Sequence, residues 1–101
     1  MALHDWLHDP SRPRPLLLDV REPWEYALCQ IADSQLLPLQ ELPQRCNELS
    51  GERAIVVICH HGMRSQQAAH FLEDAGFARL YNLSGGIAAW AAQVDPAMPR
   101  Y

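Results

Sequence analysis

The 101-residue sequence contains no lysine; its eight basic residues are all arginine, at positions 12, 14, 21, 45, 53, 64, 79 and 100. Schiff-base and lysine acid–base chemistry are therefore excluded, and so is a P-loop, whose lysine reaches the nucleotide phosphates. The arginines are scattered, with no basic stripe carrying interleaved aromatics, and the formal net charge is −4. Nucleic acid is accordingly not an expected partner. Cysteine is scarce and odd in number: Cys29, Cys46 and Cys59 form no C-x-x-C pair. That pattern argues against both a disulfide framework and a zinc knuckle, and the expected compartment is a reducing one, the cytoplasm. No apolar run approaches the roughly 18 residues of a membrane span, and Met1-Ala2-Leu3-His4-Asp5 lacks the charged-then-apolar opening of an export signal. Neither a membrane partner nor processing is expected.

What is present suits one compact unit. With 49% hydrophobic residues, a chain of this size buries about 65% of its unfolded surface, enough for one core. Residues 1–101 read as a single domain: 1–15 supply an amphipathic helix (Leu3, Trp6, Leu7) and a connector containing Pro10, Pro13 and Pro15, and 95–101 form an extended tail. Leu16-Leu17-Leu18-Asp19-Val20 is a short buried strand. A helix follows from Pro23, with Trp24, Ala27, Leu28 and Ile31 on one stripe. Ser34 to Leu39 is a second strand, marked by Pro38 as an edge or a strand end. Glu41 to Leu49 is a short helix, and Ala54 to Cys59 is a strand apolar on both faces, hence central and parallel. Ala68, Phe71, Leu72 and Ala75 define a helix from Ser65 that Gly76 terminates. Leu80 to Leu83 is a fourth strand, and Gly85-Gly86 opens a last helix with Ile87, Trp90, Ala91 and Val94 inward. Strands alternating with helices over short connections predict an α/β domain around a mostly parallel sheet, with right-handed crossovers.

The segment that carries chemistry is Cys59-His60-His61-Gly62-Met63-Arg64-Ser65, between the central strand and a helix. Ligands of open α/β sheets bind outside the carboxyl ends of the strands. A cysteine there, followed by a glycine turn into a helix, is placed to be ringed by inward-pointing N–H groups. A free thiol, with pKa about 8.5, is only a few per cent thiolate at pH 7. A helix N-terminus alone supplies about 0.3–1 kcal/mol, so direct N–H···S contacts are expected as well. Gly62 provides positive φ, and Arg64 either adds positive charge at the rim or braces the loop.

Three ordered segments resemble the rhodanese family of sulfurtransferases. Leu18-Asp19-Val20-Arg21-Glu22 with Trp24-Glu25 is similar to its first-strand motif, Cys59 to Ser65 to its active-site loop, and Asn82-Leu83-Ser84-Gly85-Gly86-Ile87-Ala88-Ala89-Trp90 to its closing motif. Cys29-Gln30-Ile31-Ala32-Asp33-Ser34 departs from the family's Gly-His-Ile-x-Gly-Ala. The resemblance implies a three-layer rhodanese-like domain with a four- to five-stranded sheet flanked by helices. It further implies transfer of a sulfane sulfur from a small donor such as thiosulfate or a persulfide to a thiol or protein acceptor, through a Cys59 persulfide. Neither a metal nor an organic cofactor is implied. His60, His61, Gly62, Met63, Arg64 and Ser65 would form the substrate-binding loop; Asp19 would brace it, with Arg21 and Glu25 as ion-pair partners.

Two alternatives stand beside this expectation. Rhodanese-fold phosphatases and arsenate reductases cradle a tetrahedral oxyanion with C-x5-R, whereas Cys59 to Arg64 is C-x4-R, one residue tighter. A non-catalytic sulfur-carrier or docking domain is the other. Three near-consecutive residues, Cys59, His60 and His61, cannot easily surround one zinc ion. Adjacent His60 and His61 side chains are expected to diverge, His70 to be solvated, Cys29 and Cys46 to be buried, and Trp24 and Trp90 to lie in the core. With no second lobe to close over it, the site is expected to be shallow and open.

Overall fold

A computed structural model of the chain describes residues 2–101. Helix α1 (Ala2–Leu7) buries Leu3 and Trp6, and an irregular connector leads to strand β1 (Leu16–Asp19). Helix α2 (Pro23–Leu28), strand β2 (Gln35–Leu36), helix α3 (Leu42–Arg45) between two single 3-10 turns, and strand β3 (Ile55–Ile58) follow. Helix α4 (Met63–Asp74), strand β4 (Leu80–Asn82) and helix α5 (Gly86–Gln93) complete the order. The four strands form one sheet, β2-β1-β3-β4, and every pairing in it is parallel. Among the described residues, no helix is long and apolar enough to cross a membrane.

The β-branched run Ile55-Val56-Val57-Ile58 makes β3 an interior strand buried at all four positions. Because successive side chains alternate, the sheet divides the core in two. Leu17, Val56 and Ile58 pack with α1 and α5 through Leu3, Trp6, Ile87, Trp90 and Ala91. Leu18, Val57 and Cys59 pack on the other face with Leu42, Ala68 and Leu72 of α3 and α4. The register aligns Asp19 with Ile58 and Val57 with Asn82, which brings the carboxyl ends of β1, β3 and β4 to one level.

Three elements differ from the sequence expectation: the helix expected over Glu41 to Leu49 is α-helical only at Leu42–Arg45, between 3-10 turns, and β2 and α2 differ as well. Strand β2 spans two residues instead of Ser34 to Leu39, yet Leu37 and Leu39 still donate to the carbonyls of Asp19 and Val20 at 2.8 and 3.1 Å. Pro38, which has no N–H, falls between them, buried, at the alternate position where the ladder to β1 takes no donor. Helix α2 presents the opposite face to that expected: Trp24 is 62% exposed, Ala27 and Leu28 are exposed, and Glu25 is the residue turned inward. Six residues offer too little apolar surface to orient the helix, and a buried ionic contact of Glu25 does so instead. Ile31 is buried, but beyond the helix end. Helix α4 follows its expected stripe through Ala68 and Leu72, with Phe71 half-buried and Ala75 exposed, and Gly76 closes it at φ +104°.

Candidate active site

Cys59 is the first residue beyond β3, and its side chain lies within the turn that follows. The Gly62 N–H donates to Cys59 Sγ at 2.9 Å. That orientation requires Gly62 at φ +103°, a backbone region that costs an L-residue about 1–2 kcal/mol. On the other side of the sulfur, the thiol donates to Ser65 Oγ at 3.3 Å. Ser65, fully buried, donates to the side-chain oxygen of Asn82, whose amide nitrogen donates to the Gly62 carbonyl at 3.2 Å. With the thiol ionised, the Ser65 hydroxyl is the group placed to turn and donate to sulfur. Asn82 thus ties the loop to β4. It stands in the closing motif of the sequence, but nothing in its spacing indicates that its amide reaches back to the loop.

The outer face of the loop is held by α5. Ile87 N–H donates to the Cys59 carbonyl at 2.8 Å and Ala88 N–H to the His60 carbonyl at 3.0 Å, so the first turn of the helix satisfies its free amides on the loop. Gly86 makes this approach possible: a Cβ there would lie 2.3 Å from the Cys59 carbonyl oxygen and 2.4 Å from that of His60. The glycine pair of the closing motif therefore both starts a helix and packs against the loop.

An ionic lattice lies beneath the rim. Arg64 Nη1 and Nη2 donate to Glu25 Oε1 and Oε2 at 2.6 and 2.8 Å, and Glu25 Oε1 also accepts the Glu22 N–H at 2.8 Å. Arg64 thus braces the loop against α2, the second of its two expected roles. The bond to Arg64 is the main cause of the Glu25 carboxyl being held down at about 2, against the opposing effect of burial. Arg21, fully buried, pairs with Asp19 through Nε and Nη2 at 2.9 and 2.7 Å and donates to the Cys29 carbonyl at 2.7 Å. Burial opposes its charge, but the bonds to Asp19 and Tyr101 hold its pKa above the ordinary arginine value. Asp19 meets Arg21 and not the loop itself, so any bracing of the loop by Asp19 passes through Arg21.

Tyr101, in the tail, completes this lattice. Its hydroxyl accepts from Arg21 Nη1 at 3.0 Å and donates to Glu25 Oε2 at 2.8 Å. Its ring stacks on His60 with centroids 4.0 Å apart and planes at 16°. His60 also lies against His61, with ring centroids 4.1 Å apart and planes tilted by 35°, so the two imidazoles converge instead of diverging. Burial and the neighbouring His61 lower the His60 pKa, while Glu25 opposes them. The tail as a whole is closer to the site than its proline content indicates. With Pro99, Arg100 and Tyr101 it walls a cleft of about 180 Å³ against His60, His61, Ile87, Ala88 and Ala91.

The remaining sequence candidates separate clearly. Met63 stands at the rim, 76% exposed. Cys59 is 1% exposed, so the sulfur is sheathed by its loop and is not openly displayed. Cys29 is buried and Cys46 half-buried, and all three cysteines are free. His70 is exposed and Trp90 is buried in the core. Among the described residues, no three His, Cys, Asp or Glu side chains gather where they could hold a metal ion.

Fold and site together define a parallel α/β domain with a sheathed thiol at the carboxyl end of its central strand. The rhodanese-like domain matches residues 3–93, and the chain belongs to that family. A protein named sulfurtransferase from Allochromatium vinosum is 43% identical over 76 residues, covering 75% of this chain and 71% of that protein. A chloroplastic rhodanese-like/PpiC domain-containing protein of Arabidopsis thaliana is 36% identical over 98% of this chain, which spans only 35% of its length. The crystal structure of a rhodanese-related protein from Thermoplasma volcanium superposes with a TM-score of 0.75 at 37% identity, covering 78% of each chain.

Proposed function

We propose that Cys59 accepts a sulfane sulfur from a donor such as thiosulfate, holds it as a persulfide and passes it to a thiol. The Cys59 thiolate attacks the outer sulfur of thiosulfate, a new S–S bond forms, and sulfite leaves with the electron pair of the bond that breaks. An acceptor thiolate then attacks the outer sulfur of the persulfide and returns Cys59 as thiolate. Atoms and electrons balance without an external oxidant or reductant, and no metal or organic cofactor enters. The Gly62 N–H and the Ser65 hydroxyl are the groups placed to stabilise negative charge on the cysteine sulfur.

The observation that carries this reading is the pairing of both terminal nitrogens of Arg64 with Glu25. A phosphatase or arsenate reductase needs a guanidinium fork turned toward a tetrahedral oxyanion; here the fork is occupied, and the short loop encloses a single sulfur. Three free cysteines fit a reducing compartment such as the cytoplasm. The test is incubation with thiosulfate followed by intact-mass measurement. A gain of one sulfur atom that disappears in Cys59→Ser is expected. No gain, or a gain that survives the substitution, overturns the proposal, and Cys59-dependent hydrolysis of an aryl phosphate would replace it with the phosphatase reading. Sulfur uptake without release to any thiol would leave Cys59 as a carrier and not a transferase.

A further inference from the structure

We propose that Tyr101 is a positioning residue of the Cys59 site: its hydroxyl fixes the carboxylate that holds Arg64, and its ring braces His60 from outside. The inference rests on the sulfur-transfer reading for its kinetics only. Glu25 Oε2 receives both Arg64 Nη2 and the Tyr101 hydroxyl, each at 2.8 Å, while the same hydroxyl accepts from Arg21 Nη1 at 3.0 Å. One side chain therefore joins the Asp19–Arg21 pair at the end of β1 to the Glu25–Arg64 pair that ties α2 to the start of α4. The carbonyls of Cys59 and His60 are already held by α5, which leaves the His60 ring as the side-chain handle on this stretch, and Tyr101 is stacked on it at 4.0 Å.

The tail presents Tyr101 firmly. Met98 is buried in the core beside α5, and Arg100 Nη2 donates to the Ala91 carbonyl at 3.3 Å. The edge of Trp24 closes on the ring at 5.5 Å. Burial pushes the Tyr101 pKa up to about 12, so the phenol keeps the proton it donates to Glu25 throughout the neutral range.

The test uses the full chain and three readouts: the His60 imidazole proton shifts by NMR, alkylation of Cys59 by iodoacetamide, and sulfur loading from thiosulfate. Tyr101→Ala is expected to abolish the ring-current shift on His60, to speed alkylation about threefold as the loop opens, and to slow sulfur loading about tenfold. Tyr101→Phe should retain the ring-current shift and lose about threefold in loading. Unchanged His60 signals and rates in Tyr101→Ala overturn the proposal. So does an equal loss in Leu49→Ala, a core substitution in the segment before β3, because the effect would then be one of global stability. A wild-type chain that takes no sulfur from thiosulfate refutes the transfer reading, whereas the NMR and alkylation results still decide the role of Tyr101.

Discussion

A methyl group on Gly86 would enter space occupied by two carbonyl oxygens, one of them belonging to Cys59 itself. The glycine also sits at φ +59°, so Gly86→Ala adds the left-handed conformational cost, about 1–2 kcal/mol, to an overlap costing about 1–3 kcal/mol. Relief requires α5 to retreat, which breaks the Ile87 and Ala88 amide bonds to the loop. The expected outcome is a loss of about 2–5 kcal/mol in urea unfolding together with faster alkylation of Cys59. A variant as stable as the parent would show that α5 does not hold the loop. By contrast, nothing lies within 4 Å of a Cβ at Gly51, so glycine is demanded by close packing at one position and not the other.

At the scale of elements, α2 is held by charge. Glu25 is buried on its inner face, and its carboxyl stands near 2 instead of 4.5, first because of the bond from Arg64. A carboxylate whose pKa is depressed on folding contributes stability that is complete above its unfolded value and is lost as pH falls through its folded one. Between about pH 4.5 and pH 2 this group should therefore cost the folded state about 3 kcal/mol. Urea unfolding across that range should show Glu25→Gln less stable than the parent at pH 7, with the two curves converging near pH 2. Parallel curves would show that the pair contributes nothing to folding. The same helix marks where sequence was least informative. Strand β3 and helices α4 and α5 were legible because a β-branched run, apolar residues recurring every three to four positions and a glycine pair before an apolar stripe are strong local signals. The six residues of α2 do not: Trp24 and Leu28 look like a core stripe until Arg64, thirty-nine positions later, draws Glu25 inward. The loop was legible from Cys59 to Ser65, but Asn82 reaches it by a side-chain hydrogen bond to Ser65 and Tyr101 by stacking on His60, long-range contacts that leave no local pattern.

Across the whole molecule, the sheet carries two separate apolar faces, and β3 serves both. Ile58 belongs to the cluster with α1 and α5, and Ile55 to the cluster with α3 and α4; both are essentially fully buried. Each residue points away from the other, so the two share no apolar neighbours despite lying three positions apart on one strand. Ile→Val at a buried site costs about 0.5–1.5 kcal/mol. If the faces are independent packing units joined only by backbone, Ile55→Val and Ile58→Val should add in the double variant to within about 0.5 kcal/mol. Urea unfolding followed by tryptophan fluorescence and by far-ultraviolet dichroism tests this directly. Coincident transitions with additive losses are expected, since β1 and β3 run through the middle of the sheet and neither face can melt without exposing them. A coupling well above 1 kcal/mol would mean that packing on one face is transmitted through the strand to the other. In that case the loop at its end would be sensitive to core changes on either side, because Ile58 directly precedes Cys59.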